Sequence, residues 1–190
     1  MRGIIQEAIL ESIRVKEELL KNNIAEIVEI SRKIVESLKK GGKLIVFGNG
    51  GSASDAQHIA AELVGRFKKD RPALPAIALT VNTSIITALA NDFGYDIIFA
   101  RQIEALAVKN DVVLGISTSG KAKNVVLALK QAKKMGLLTV ALTGGDGGEI
   151  AKQADLSLII PSSQTARIQE SHILVGHIIC ELIEEEAGIR

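Results

Sequence analysis

Five short apolar runs alternate with longer segments of helical pattern, and this alternation restricts the fold more than any other feature of the chain. The runs are 43–47, 76–80, 112–116, 138–142 and 156–160. Val112-Val113-Leu114-Gly115-Ile116 has no polar side chain on either face, so a strand made of it needs cover on both sides. A parallel sheet between two layers of helices supplies that cover. The segments 53–66, 83–91, 96–108, 122–135 and 165–186 read as helices, with a short helical turn over 147–153. The expected fold is therefore α/β: three layers, α/β/α, around a doubly wound, five-stranded parallel sheet with right-handed crossovers. Ligands of such sheets bind beyond the carboxyl ends of the strands, near the topological switch point.

Residues 3–21 and 23–40 form two extra N-terminal helices outside this repeat. Ile24, Ile27, Val28, Ile34, Val35 and Leu38 mark one face of the second. Asn22 or Asn23 is placed to cap its start, and Gly41-Gly42 ends it. Their apolar stripes have two possible destinations, the chain's own sheet layer or the same helices of another copy. At 190 residues and 47% hydrophobic content, the chain reads as one domain over 1–190. Within it, 1–42 is a helical, self-associating segment and 43–190 the α/β core. Pro72 and Pro75 only punctuate a loop.

Composition excludes several classes. Aromatic residues are 3%, Trp is absent and the net charge is +1, so neither base stacking nor a basic footprint for nucleic acid is expected. No eighteen-residue apolar run exists, so no membrane span is expected. The first twenty residues interleave Glu, Arg and Lys with apolar positions, unlike a secretory leader, and the expected compartment is the cytoplasm. The single Cys180 has no partner within the chain and reads as a buried, inert thiol.

Polar chemistry gathers at the strand ends. After the first strand comes Gly48-Asn49-Gly50-Gly51-Ser52, a loop nearly free of side chains that leads into a helix. Its N–H groups, the Ser52 hydroxyl and the helix dipole can hold an anion; a plain tight turn is the other reading. In that helix His58 and Glu62 stand four apart on one face, as a solvated pair or as site residues. After the third strand, Ser117-Thr118-Ser119-Gly120 offers three hydroxyls to a phosphate or, alternatively, to the N-cap of the next helix. Thr143-Gly144-Gly145-Asp146-Gly147-Gly148 is a weaker signal. No Gly-Lys-Ser/Thr follows a glycine loop, which excludes a P-loop nucleotide triphosphatase, and the dinucleotide fingerprint lacks its third glycine. The last helix carries Arg167-Ile168-Gln169-Glu170-Ser171-His172 and then His177. Gln169 and His177 share a face, and a histidine in so apolar a helix is more often a hydrogen-bonded core residue than a catalyst.

The Gly48–Ser52 loop, His58-Ile59-Ala60-Ala61-Glu62, Asn91-Asp92-Phe93-Gly94, Ser117–Gly120 and Arg167–Glu170 with His177 follow the order and spacing of the phosphoheptose isomerases. The chain resembles that family, a branch of the sugar isomerase (SIS) superfamily with a flavodoxin-like sheet, over nearly its whole length. The resemblance implies conversion of sedoheptulose 7-phosphate to D-glycero-D-manno-heptose 7-phosphate, for heptose and lipopolysaccharide or surface-glycan synthesis. It also implies a homotetramer with active sites at subunit contacts. Asn49, Gly50, Gly51, Ser52, Asn91, Asp92, Ser117, Thr118, Ser119, Gln169 and Glu62 would bind the sugar phosphate. Glu62 corresponds to the catalytic base and His177 to the acid, while His58, Glu62, Gln169 and His177 correspond to zinc ligands, one ion per subunit. The chain departs from some members at Ala122, where they carry a phosphate-binding serine, and at Ala166, where they carry an aspartate.

Aldose–ketose isomerisation needs such a pair. A proton must leave a carbon beside a carbonyl and return to its neighbour, which suits a carboxylate in a dry pocket, while an imidazole serves the oxygens. The competing reading is a non-catalytic SIS protein that binds a sugar phosphate or a replication initiator. The presence of both Glu62 and His177 favours the enzyme, since binding alone needs no proton transfer.

Overall fold

The computed structural model describes residues 1–186, and all five apolar runs are strands in it. They are β1 (Leu44–Gly48), β2 (Ala76–Ala78), β3 (Val112–Ser117), β4 (Leu138–Gly144) and β5 (Leu156–Ile160), every pair parallel, in the order β2-β1-β3-β4-β5. Both faces are covered, as continuous apolarity requires. Leu44 and Val46 join the layer formed by the N-terminal helices, α3 and α8, whereas Ile45 and Phe47 face the layer of α5 and α6. Among the described residues the helices are α1 (Arg2–Asn22), α2 (Ile24–Lys39), α3 (Gly51–Val64), α4 (Thr83–Phe93), α5 (Ile98–Leu106), α6 (Lys123–Lys134), α7 (Gly148–Gln153) and α8 (Thr165–Glu186).

Several boundaries differ from expectation. β2 stops at Ala78, where the chain turns: Leu79 packs in the α5 and α6 layer and the Thr80 hydroxyl donates to the Ala53 carbonyl of α3 at 3.4 Å. A 3-10 turn (Tyr95–Ile97) precedes α5, following Gly94, whose φ of +90° closes α4. Asn23 occupies the N-cap position of α2 but its side chain makes no capping bond. The buried face of α2 is Ile27, Ile30, Ser31, Ile34 and Val35; Ile24 and Val28 are exposed. Ile24 is the first helical residue, and Val28 lies about 100° round the helix from Ile27.

Both extra helices pack on the chain's own layer, but they bury unequal shares of their apolar faces. α2 packs on α8 and β5 within the chain. α1 buries only Val15 and Leu19, leaving Ile4, Ile5, Ile9, Leu10 and Ile13 exposed. Arg167 and Glu170 dock α1 on α8: Arg167 donates to the Ala8 carbonyl at 2.8 Å, and the Ser12 hydroxyl to Glu170 at 2.8 Å.

The strand order decides where a site can form. β1 has β2 on one side and β3 on the other, so the chain reverses direction there. α3 leaves β1 into one layer and α6 leaves β3 into the opposite one. The loops after β1 and β3 therefore part from each other at the sheet's carboxyl edge and leave a crevice between them.

Candidate active site

The crevice holds most of the polar residues singled out above. Asn49, Ser52, Ser117, Thr118, Ser119 and, from α8, Gln169 line a cleft of about 160 Å³, with Ala122 at its side. Gly50 is the N-cap of α3 with φ +55°, which aims the first turn of that helix toward the cleft. Ser52 and Ser117 are buried. Ala122 is the N-cap of α6 and no side chain caps that helix, so the hydroxyls of Ser117, Thr118 and Ser119 do not serve it. Only Ser119 is engaged locally, its oxygen accepting from the Lys121 N–H at 3.3 Å. A cradle of hydroxyls and helix N-termini is suited to a phosphate. A larger groove, about 310 Å³, borders Lys33, Lys40 and Lys109 at the opposite end of the sheet, away from these loops.

The Asn49 side chain is fixed by a reciprocal amide pair. It donates to Asn124 Oδ1 at 2.9 Å, Asn124 donates back to Asn49 Oδ1 at 2.9 Å, and the Tyr95 hydroxyl adds a third bond at 3.1 Å. Asn124 and Tyr95 escaped sequence reasoning, since neither carries a local motif. Gln169 lies over Gly51 so closely that a Cβ there would stand 2.3 Å from its amide nitrogen. The glycines at 144–148 do something else. Gly144 makes room for Ile168, and Gly148 lies against the backbone of Gly120.

Further along α3, His58 Nε2 and Glu62 Oε1 are 3.0 Å apart, and His177 Nε2 of α8 is 3.3 Å from His58 Nε2; His58 is exposed, so the cluster opens to solvent in the single chain and is not the dry pocket expected for the carboxylate. The three donor atoms lie within 4.8 Å of one another. Gly176 permits this meeting, since a Cβ there would press on Ile59 at 2.9 Å and push the helices apart. Of the two histidines on α8, His172 is the core residue. It is fully buried, its Nε2 is 3.0 Å from the Thr143 carbonyl oxygen, and burial pushes its pKa down to about 4. His177 is only half-buried and faces the α3 pair. Asp55, one turn before His58, is also half-buried, and burial pushes its carboxyl up to about 6 against the opposing pull of His58. Cys180 is buried and its pKa is pushed up to about 12, first by burial and then by Glu62 and Glu184, which leaves it an inert thiol.

Not every expected residue reaches the cleft within one chain. Asn91 and Asp92 are exposed on α4, Asn91 donating to Asp92 at 2.8 Å, and neither lines it. Ala166 is exposed in the first turn of α8.

The profile of the SIS domain matches residues 9–144. A phosphoheptose isomerase of Sulfurimonas denitrificans is 53% identical over 98% of this chain and 96% of its own length. The chain belongs to the SIS domain family and, within it, to the phosphoheptose isomerases. The solved phosphoheptose isomerase of Neisseria gonorrhoeae superposes with a TM-score of 0.92 at 42% identity, covering 97% of this chain and 98% of its own. That of Francisella tularensis gives 0.94 at 37% identity with the same coverage. Both superpositions thus run over nearly the full length of each chain.

Proposed function

We propose that this chain is a sugar-phosphate aldose–ketose isomerase that converts sedoheptulose 7-phosphate to D-glycero-D-manno-heptose 7-phosphate through an enediol. The carrying observation is the convergence of Glu62 and His177 on α3 and α8, the two helices that also supply Ser52 and Gln169 to the hydroxyl-lined crevice. An acid/base pair and a phosphate cradle are what the reaction requires, and the similarity to phosphoheptose isomerases over nearly the full chain agrees with it. In this reading Ser117, Thr118 and Ser119 hold the phosphate with Ser52, and Asn49, Gly50, Gly51, Asn91, Asp92 and Gln169 contact the sugar. The distant phosphate fixes the pose. Glu62 takes a proton from C1 and returns it to C2, while His177 serves the oxygens that gain and lose protons as the enediol forms and collapses.

The residues fit a zinc ion. Two imidazole Nε2 atoms point at each other across 3.3 Å with a carboxylate oxygen beside them, close to the ~3.3 Å edge of a tetrahedron with ligand distances of about 2.0–2.1 Å. His58, Glu62 and His177 would hold it, whereas the Gln169 amide lies over Gly51, about two turns along α8 from His177, and does not join them within one chain. A bound zinc would act as a Lewis acid toward the enediolate oxygens. The exposed apolar face of α1 and the exposed α4 support a homotetramer whose neighbours complete the site. No helix among the described residues is long and apolar enough to cross a membrane, consistent with a cytoplasmic enzyme feeding heptose and surface-glycan synthesis.

The test is incubation with sedoheptulose 7-phosphate and detection of an aldoheptose phosphate. Binding of the sugar phosphate without turnover would refute the isomerase and leave a sensing module.

A further inference from the structure

His177 is held from its far side by a feature outside the crevice. The Phe67 ring stacks on its imidazole, centroids 5.3 Å apart and planes 17° from parallel, while His58 meets it edge-on at 4.9 Å and 75°. Phe67 lies in the loop after α3, a segment with no regular secondary structure of its own. That loop is nevertheless bound tightly. Glu184, near the end of α8, accepts from the backbone N–H groups of Phe67, Lys68 and Lys69 at 2.9, 2.9 and 3.0 Å. Its carboxylate also takes Arg71 Nε at 2.9 Å, with both side chains almost fully buried. Burial pushes the Glu184 pKa up, yet the three N–H donors and Arg71 outweigh it and the net shift is downward. Arg71 uses its other nitrogens on the end of α3, donating to the carbonyls of Leu63 and Glu62 at 2.8 Å each.

The clamp therefore ties together the backbone of Glu62, the Phe67 loop and the helix that carries His177. A buried ion pair is a weak source of stability, because desolvation cancels most of its attraction. Fixing geometry is the use such pairs serve best. We propose that Phe67, locked by the Glu184–Arg71 clamp, is a positioning residue that sets the plane of the His177 imidazole, so that Nε2 faces His58 and Glu62. The inference rests on the isomerase reading of this site.

The test compares Phe67→Leu, which keeps apolar volume without a planar face, with Phe67→Tyr, which keeps the ring. Loss of an outer partner of a ligating or catalytic group typically costs about 10–100-fold in metal affinity or activity. Phe67→Leu should lower kcat by that factor with KM nearly unchanged, and should weaken zinc binding, measured by competition with a chromophoric chelator. Phe67→Tyr should restore both. Glu184→Gln, which keeps the shape but weakens the clamp, should fall in the same direction by less. Wild-type kcat and zinc affinity in Phe67→Leu would overturn the inference, as would equal losses in Phe67→Leu and Phe67→Tyr, which mark a packing effect. Were the wild-type protein inactive on sedoheptulose 7-phosphate, the isomerase reading would fail by itself, and zinc affinity across the variants would still decide the role of Phe67.

Discussion

Replacing Gly51 by alanine separates the fold from the site in one step. Gly51 is the first residue of α3 and is not among the positive-φ glycines, so alanine suits its backbone. In a helix alanine is favoured over glycine by up to about 1 kcal/mol. Stability should therefore hold or rise slightly. The added Cβ would stand 2.3 Å from Gln169 Nε2 and 2.9 Å from its Cδ, where ordinary contact begins at 3.4 Å. The flexible Gln169 amide moves rather than the helix, and it must withdraw by about 1 Å, a displacement that costs about 10²-fold when it moves a positioning group. Gly51→Ala should thus show an unchanged or slightly higher Tm by calorimetry and a drop of about 10²-fold in kcat/KM on sedoheptulose 7-phosphate. An unchanged kcat/KM would remove Gln169 from the site. A Tm several degrees lower would show that the helix, not the amide, had yielded.

Other perturbations probe the remaining parts. Glu62→Gln should fold normally, because the Glu62 atom that Arg71 holds is the backbone carbonyl, and should lose about 10²–10⁴-fold in kcat; retention of more than a tenth of wild-type turnover would disqualify it as the base. Chelation of zinc-loaded protein should lower Tm, since a metal bound only by the folded form stabilises it by mass action, and His58→Ala should abolish that response. Ser119→Asp should raise KM strongly by setting a carboxylate against the phosphate dianion; normal saturation would return the hydroxyl cluster to a role within the fold. In acid, His172 takes up a proton near 6.5 when unfolded but only near 4 when folded. Its contribution is thus complete above 6.5 and falls by roughly 3 kcal/mol as the pH drops to 4. Asp55, pushed up to about 6, binds its proton more readily in the folded state and offsets this fall over the same window. Asp55→Asn should therefore steepen the loss of Tm between pH 6.5 and 4, and an unaltered slope would contradict the opposition.

The sequence alone determined the layers, the parallel sheet and the identity of the chemistry. Continuous apolarity at Val112–Ile116 demands cover on both faces, and that demand depends on no distant contact. The glycine and hydroxyl loops are local as well, for their meaning lies in the small side chains of adjacent residues. The cluster of His58, Glu62 and His177 was legible through resemblance, because His58 and Glu62 are one turn apart and His177 belongs to a motif-bearing helix.

Tertiary structure decided what depends on partners far along the chain. It distinguished His172 from His177, which share one apolar helix and differ only in what packs against them. It freed the Ser117–Ser119 hydroxyls from capping, a matter settled by where α6 begins. It divided Arg167-Ile168-Gln169-Glu170 into a cleft-lining residue, a core residue and two that dock α1. The Arg71–Glu184 clamp joins residues 113 apart in sequence. Its one trace in the sequence is a glutamate directly after the buried Ile179, Cys180 and Ile183. A charge on such a stripe is affordable only with a buried partner, and no spacing rule could have named Arg71, because the fold alone brings it there.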